Sequence, residues 1–400
     1  MEMRDEARAT SRGEDKRMVA RGAEGAAAPL VTKAPLPSPA GQAARRRERR
    51  DVAYQLRSRL WELSTLTRVR HCGRYTHAGV GAPGLRLSGD GASRRAGLSG
   101  LQSCGSTWSC PVCARKIAGE RAEDLRQVVK AAAEHNGAAA MITMTLRHNR
   151  SHSLRACWDA LSYAWSKVTS GKHYVAEQGQ FGIVGWARCV EVTYGETSGW
   201  HVHLHALVIL DSPTSPEMLD ELAGRWWTRW ERALNRKAFT AVADRGGLDV
   251  RPVQMHEGSA DEIARYFNKI AAEVVGQSTK EGRCGNRTLF QVLRDGLQTG
   301  NADDLERWFD YEQVSRGRKQ FTWSRGLRDW AGIGAHRSDE EIAESDTGGE
   351  TVLFIDPESW PSVRASVTGL LAATEANGLA GAQSWLTDRG ARWFFPPDRR

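Results

Sequence analysis

The sequence lacks any apolar run long enough to span a membrane, and its first residues lack the hydrophobic centre of a signal peptide. These absences predict a cytoplasmic protein without a membrane partner. Acidic residues are in the minority, because 48 Asp and Glu face 56 Lys and Arg, which gives a formal net charge of +8. This excess favours a polyanionic partner, with nucleic acid ahead of membrane. In an intracellular chain, the seven cysteines are expected to be free or metal-bound rather than paired in disulfides.

The chain divides by composition into five segments. Residues 1–52 are rich in Ala, Arg, Pro and Gly, and we expect a disordered basic arm there because too few apolar side chains are available for burial. The predicted segments that follow are a module with four cysteines at 53–125, a core domain at 126–276, a partly helical extension at 277–335, and a linker with a C-terminal tail at 336–400. Residues 338–350 are acidic and contain glycine, which is typical of a linker.

Strand and helix patterns alternate regularly from Met141 onward. We expect strands at 141–146, 182–194, 200–210 and 248–254, and helices at 154–167, 216–234 and 261–275. The resulting order, strand-helix-strand-strand-helix-strand, predicts an α+β fold with a ferredoxin-like antiparallel sheet. Its helices cover one face of the sheet, and its other face is expected to be free for a ligand.

Three histidines alternate along the strand at residues 200–210. His201, His203 and His205 would lie on one face, since alternate side chains of a strand point the same way. If Tyr194 pairs with Trp200, then Glu191 lies directly opposite His203 on that face. Two imidazoles and a carboxylate suit a divalent cation that keeps open coordination positions.

A second set of metal ligands is predicted from cysteine spacing. Cys110 and Cys113 have the two-residue separation that lets two thiolates reach one tetrahedral ion, and Cys104 lies shortly before them. Cys72 is the best fourth ligand, because the Gly-rich stretch 79–100 can loop out between them, and His71 is the alternative. A redox role for the Cys-x-x-Cys pair is the competing interpretation.

The helix predicted at 261–275 carries a polar stripe of possible catalytic residues. Ser259 and Glu262 fit a capping box, so Glu262 also has a purely structural explanation. Tyr266 has an acid one turn before it and Lys269 about one turn after it. A tyrosine in this setting is a plausible nucleophile if a nearby metal and ammonium group activate it.

Taken together, these motifs resemble those of the replication initiators of rolling-circle plasmids, particularly those of actinobacteria, which belong to the HUH endonucleases. Met141-Ile-Thr-Met-Thr-Leu146 is similar to their first motif, and His203-Leu204-His205 is similar to their His-hydrophobic-His motif. The segment Glu262 to Lys269 is similar to the third motif, which contains the nucleophilic tyrosine. His201 is an addition to the two-histidine motif.

The resemblance implies metal-dependent nicking of plasmid origin DNA, single-stranded or extruded as a hairpin. Tyr266 would form a 5'-phosphotyrosine, with Glu262 and Lys269 assisting. Mg or Mn would be held by His203 and His205, with Glu191 and the uncertain His201 as further candidates. Zinc would be structural, and a host helicase, a polymerase and a second copy of the chain are possible partners.

Other readings of the same motifs remain open. The alternating histidines also resemble those of histidine-triad nucleotide hydrolases, which need no metal. A non-enzymatic zinc-ribbon DNA-binding protein would explain the cysteines alone, and an HUH transposase or relaxase would use the same chemistry. The basic segment 316–328, which contains Phe321 and Trp323, is a candidate DNA contact, although the two aromatic residues are better explained as core residues.

Overall fold

The computed structural model describes residues 38–253, 285–345 and 348–397. The helix predicted at 261–275 lies outside these residues, and so do Glu262, Tyr266 and Lys269. No helix within the described ranges combines the length and the apolar character that crossing a membrane requires.

The described residues of the N-terminal third form three α-helices and a β-hairpin. Its elements are α1 (Pro39–Leu63), α2 (Thr67–His71), β1 (Gly84–Ser88), β2 (Arg95–Ser99) and α3 (Pro111–Glu134). The long helix α3 begins with a proline at its first turn, where a missing N–H costs no hydrogen bond. It runs without a break across residues 125 and 126, where the sequence predicted a boundary between two segments.

The central part follows the predicted order of strands and helices, with one additional helix. Its elements are β3 (Ala138–Thr145), α4 (Leu154–Val168), α5 (Gly171–Phe181), β4 (Ile183–Gly195), β5 (Gly199–Leu210), α6 (Pro216–Asn235) and β6 (Leu248–Val253). Ser153 and Ser215 cap α4 and α6 by accepting hydrogen bonds from backbone N–H groups of the first turn. The additional helix is α5.

The remaining described residues form further short helices and strands, together with one long helix. They are β7 (Arg287–Thr288), α7 (Leu289–Thr299), α8 (Ala302–Ser315), β8 (Phe321–Trp323), α9 (Leu327–Trp330), α10 (Asp339–Glu344), β9 (Glu350–Ile355), α11 (Trp360–Ala365), α12 (Val367–Thr387) and β10 (Trp393–Phe394). Helix α12 is interrupted at Gly378, whose φ of 65° is not helical.

Within the described residues, the larger sheet has six strands in the order β6-β3-β5-β4-β7, and β8 also pairs with β4. All of its pairings are antiparallel. The even-numbered residues of β5, such as Val202, Leu204 and Ala206, are fully buried in the main core with apolar side chains of α4 and α6. This confirms the α+β class, the antiparallel sheet and the prediction that these residues share an apolar face.

The opposite face of the sheet is only partly open. Leu125 and Val128 of α3 pack with Met141, Leu207 and Ile209, which lie beyond the histidines on the same face. The expectation that this whole face is free is therefore wrong for the end of β5 that follows His205. The helix pattern of α3 indicates an apolar stripe but does not tell which surface the stripe covers.

The expectation of a disordered arm through residue 52 is wrong for residues 39–52, which form the first half of α1. Ala43 and Ala53 are buried, and Arg47 and Arg50 both form ion pairs with the buried carboxylate of Glu375 in α12. The physical reason is long-range, because an arginine-rich helix is ordered here by an acid that lies more than 300 residues later in the chain.

The predicted linker and tail at 336–400 are also wrong for most of the described residues in that range. Residues 339–344 form α10, whose Asp339 pairs with Arg121 of α3 at 2.8 Å. Beyond it, β9 and β10 join the β1-β2 hairpin in a second sheet, in the order β10-β9-β1-β2. Leu85, Leu353 and Leu370 are part of the core of this unit. The Gly-rich stretch 79–100 therefore contains paired strands as well as loops.

Candidate metal centres

Strands β4 and β5 have the register that the hairpin loop predicted. Glu191 pairs with His203, Thr193 with His201, and Tyr194 with Trp200. Because paired residues of antiparallel strands project to the same side, the Glu191 side chain shares the face of the three histidines. The one-residue slip that would have turned it away does not occur.

Glu191, His203 and His205 converge on one point of this face. Glu191 Oε2 lies 2.9 Å from His203 Nε2 and 3.4 Å from His205 Nε2. One ligand atom from each residue lies within 4.8 Å of the other two. The Glu191 and His205 side chains are each only 9% exposed, and that of His203 is 12% exposed. This donor set fits a divalent cation with imidazole and carboxylate ligands, since three protein ligands leave positions open for water or a phosphate oxygen.

A neighbouring hydroxyl group orients His205. The Thr143 Oγ1 atom, on β3, lies 2.9 Å from His205 Nδ1. When Nδ1 donates a proton to this hydroxyl, the lone pair of the ring is on Nε2, the atom that points toward Glu191. His203 differs, because its Nδ1 atom is buried and has no hydrogen-bond partner among the described residues.

The ionisation of these groups suits metal binding. Burial alone would raise the pKa of Glu191, but the neighbouring His203 and His205 bring it well below its usual value. Burial also lowers the pKa of His205, which favours the neutral imidazole that a metal requires.

His201 lies outside this group and belongs to a histidine pair. Its Nδ1 atom is 2.7 Å from Nε2 of His148, whose Nδ1 atom donates to the carbonyl of Ser198 at 2.9 Å. Burial is the largest cause that lowers the pKa of His201, to about 3. The sequence prediction did not include His148, because nothing in the loop after β3 indicates that it folds back onto β5.

The four predicted zinc ligands also come together. Cys72, Cys104, Cys110 and Cys113 are buried, and their sulfur atoms all lie within 4.8 Å of one another. The sulfur separations are 3.5 Å for Cys72 and Cys113, 3.6 Å for Cys104 and Cys113, and 3.7 Å for Cys72 and Cys110. Four thiolates bound to one zinc ion at ordinary bond lengths would be about 3.8 Å apart. The cysteine cluster therefore fits a tetrahedral zinc site, and His71 is not part of it.

Arg57 of α1 lies against this cluster. Arg57 is only 5% exposed, and its guanidinium group lies over the Tyr54 ring at 4.3 Å. It also packs against Gly73, the residue after Cys72. A Cβ atom at Gly73 would lie 2.2 Å from Arg57 Nη1 and would have to displace this guanidinium group, and the φ of +65° at Gly73 favours glycine as well.

The remaining sequence-predicted features have mixed outcomes. Trp226 and Trp230 of α6 are fully buried in the main core. In the basic segment 316–328, Arg318 pairs with Asp159 and Arg328 pairs with Asp124, each at 2.7 Å. These two arginines are therefore engaged within the protein. Tyr266, Glu262 and Lys269 cannot be placed, because they lie outside the described residues.

Comparison with known proteins gives the class of the chain. Residues 97–327, more than half of it, match the model of the family described as Replication protein (Rep_1). The chain belongs to this family, and its resemblance to plasmid replication initiators is confirmed.

Among its relatives, a protein of Streptomyces lividans named "Protein rep" is 29% identical, over 70% of this chain and 76% of that protein. A "Neomycin resistance protein" of Streptomyces cyanogenus is 27% identical, over 46% of this chain and 48% of that protein. Another "Protein rep", from Lactiplantibacillus plantarum, is 26% identical, over 40% of this chain and 52% of that protein. The chain thus spans only about half the length of the latter two relatives. No solved structure matches the chain.

Proposed function

We propose that the protein initiates rolling-circle replication of a plasmid by nicking one strand of origin DNA, and that its central domain is an HUH endonuclease. The observation that carries the proposal is the convergence of Glu191, His203 and His205 on one face of an antiparallel sheet. Membership of the Replication protein family supports the same reading.

The proposed reaction is a transesterification at a phosphodiester bond. The Tyr266 oxygen attacks the phosphorus atom, a bond between them forms, and the phenolic proton leaves. The bond from phosphorus to the 3' oxygen breaks and that oxygen takes up a proton, which gives a 5'-phosphotyrosine and a free 3'-OH that can prime synthesis. Atoms and charges balance without any oxidant or energy source, because one phosphodiester replaces another.

Each group of the site has a proposed task. Glu191, His203 and His205 would hold Mg or Mn, which when bound polarises the scissile phosphate. Lys269 would stabilise negative charge on the phenolate or the phosphate. Glu262 would act as general base for a water in the terminating cleavage, so that DNA is released without a second covalent adduct. These assignments of Tyr266, Glu262 and Lys269 rest on the sequence motif.

The cysteine cluster is proposed to be a structural zinc site, since four thiolates leave no open position on a tetrahedral ion. The proposed substrate is plasmid origin DNA, as a single strand or an extruded hairpin, and the proposed location is the cytoplasm. Contacts with a host helicase or polymerase, and assembly into oligomers, are further proposals that follow from the role in replication.

The test uses purified full-length protein, Mn and a supercoiled plasmid that carries its own origin. We expect nicked plasmid with protein attached to the 5' end, no reaction with EDTA, and no adduct with Tyr266→Phe. Tyr163→Phe is the matched control and should nick as the wild type does, because Tyr163 lies on α4, which packs against the face of β5 opposite the histidines. An adduct formed by Tyr266→Phe would refute the nucleophile, and cleavage that persists in EDTA would refute the metal-dependent mechanism.

A further inference from the structure

A cluster of arginines and aromatic rings lies beside the cysteine cluster and has no part in the proposed reaction. Its members come from α1, α2, the loop after α2, and α11. We call it the Arg-aromatic cluster, and it consists of Trp61, His71, Arg74, Tyr75 and Arg364. All of them lie outside residues 97–327, the part that matches the family.

Two guanidinium groups share the same two rings. Arg74 lies 5.9 Å from the centre of the Trp61 ring and 5.5 Å from that of Tyr75. Arg364 lies 5.6 Å and 5.9 Å from the same two centres. The His71 ring meets Tyr75 edge-on at 5.1 Å. Tyr75 nevertheless remains 43% exposed, so its side chain is accessible to a ligand.

Positive charge in this cluster is not neutralised within the described residues. Neither Arg74 nor Arg364 forms an ion pair with a described carboxylate, and Nε of Arg74 is buried without a hydrogen bond. Their observed acceptors are backbone carbonyls, with Arg364 Nη1 donating to Arg74 O at 3.0 Å and Arg74 Nη1 donating to Trp61 O at 3.4 Å. Two adjacent cations that repel each other favour an anion as ligand.

The backbone that carries Arg74 and Tyr75 is held in place on several sides. Trp61 Nε1 donates to the carbonyl of Cys72 at 2.9 Å, and Trp360 Nε1 donates to that of Arg74 at 2.9 Å. Cys72 is itself one of the four clustered cysteines. The loop is therefore ordered before any ligand arrives, which reduces the entropy lost on binding.

We propose that the Arg-aromatic cluster binds single-stranded DNA, with a base stacked on Tyr75 and a phosphate held by Arg74 and Arg364. Aromatic rings beside basic groups bind single strands because each base then offers a free face for stacking. In a duplex those faces are already occupied by neighbouring bases, so a duplex can use only the arginines. The inference rests on the proposed function, since it adds a second contact for the strand that the protein is proposed to nick.

The test measures fluorescence anisotropy of labelled oligo(dT) and of a duplex of equal length, with wild type and variants at several salt concentrations. Tyr75→Leu should weaken oligo(dT) binding about 5- to 150-fold, the effect expected for loss of one stacked base. Tyr75→Phe keeps the ring and should bind as the wild type does. Arg364→Gln should lower the slope of log affinity against log salt by about 0.7, the value for one phosphate contact with a single strand.

Phe394→Leu is the control for exposed aromatic area, since Phe394 is 47% exposed and its ring stacks on that of Phe354. The proposal would be overturned if Tyr75→Leu kept its affinity for oligo(dT), or if Phe394→Leu lost as much of this affinity as Tyr75→Leu. It would also be overturned if Tyr75→Leu weakened duplex binding as much as oligo(dT) binding. Failure of the Tyr266 assignment would instead show as an adduct formed by Tyr266→Phe, so the two hypotheses fail separately.

Discussion

The hydroxyl of Thr143 provides a sharp test of the proposed metal centre. Thr143→Val keeps the shape of the side chain but removes the group that lies 2.9 Å from His205 Nδ1. We expect the affinity for Mn to fall about 10- to 100-fold, because partners of this kind orient a histidine ligand and fix its tautomer. The corresponding loss is about 1.4 to 2.7 kcal/mol of binding free energy.

Isothermal titration of Mn into zinc-loaded protein measures this effect directly. The Mn concentration that gives half-maximal nicking should rise by the same factor. Thr145→Val is the matched control, since Thr145 lies on the same strand and face, opposite His203, but its hydroxyl donates to the carbonyl of Gly246 at 2.9 Å. Wild-type Mn affinity in Thr143→Val would refute the reasoning, as would an equal loss in Thr145→Val.

Four further predictions follow from the same contacts. His203→Ala should abolish Mn binding measured by titration, whereas His201→Ala should retain it within a few-fold, because His201 lies outside the converging ligands. Metal analysis should find one zinc ion per chain, and its removal by a strong chelator should lower the melting temperature, since zinc binding contributes to folding free energy. Gly73→Ala should lower the melting temperature more than Gly79→Ala, because both have positive φ but only at Gly73 does a Cβ atom meet another residue. Hydrogen bonds from Arg287 hold the pKa of Asp304 below its usual value of 3.8. The ionised Asp304 therefore stabilises the folded protein above pH 3.8, and this contribution is lost as the pH falls through the lowered pKa. In acid titrations monitored by circular dichroism, the stability of Asp304→Asn should therefore fall less with decreasing pH than that of the wild type.

Much of the central sheet can be predicted because its signals are local. Alternation along β5 assigns the two faces, and the short loop between Gly195 and Gly199 sets the register of β4. Together these two features place Glu191 beside His203. The cysteine cluster is predictable for a similar reason, since thiolate chemistry limits the ways in which four cysteines can be used.

The parts that could not be predicted depend on contacts between distant residues. The first half of α1 contains five arginines among residues 45–50 and resembles a disordered segment until Glu375 is brought against Arg47 and Arg50. In the same way, β1 pairs with β9, more than 250 residues away, and nothing in the local sequence of either strand identifies its partner. The sequence does not indicate the roles of Thr143 and His148, because each role depends on which histidine of β5 the side chain contacts in the folded protein.

Helix α3 connects the two candidate metal centres, which the sequence analysis placed in separate segments. Cys110 is the N-cap of α3 and Cys113 lies in its first turn, so the cysteine cluster fixes the start of this helix. More than three turns further along, Leu125 and Val128 pack against Leu207, on the same face of β5 as His205. A change in the position of α3 would therefore displace residues that pack beside the proposed catalytic site. This arrangement gives the proposed zinc site a structural role beside a site whose proposed chemistry requires only the other metal.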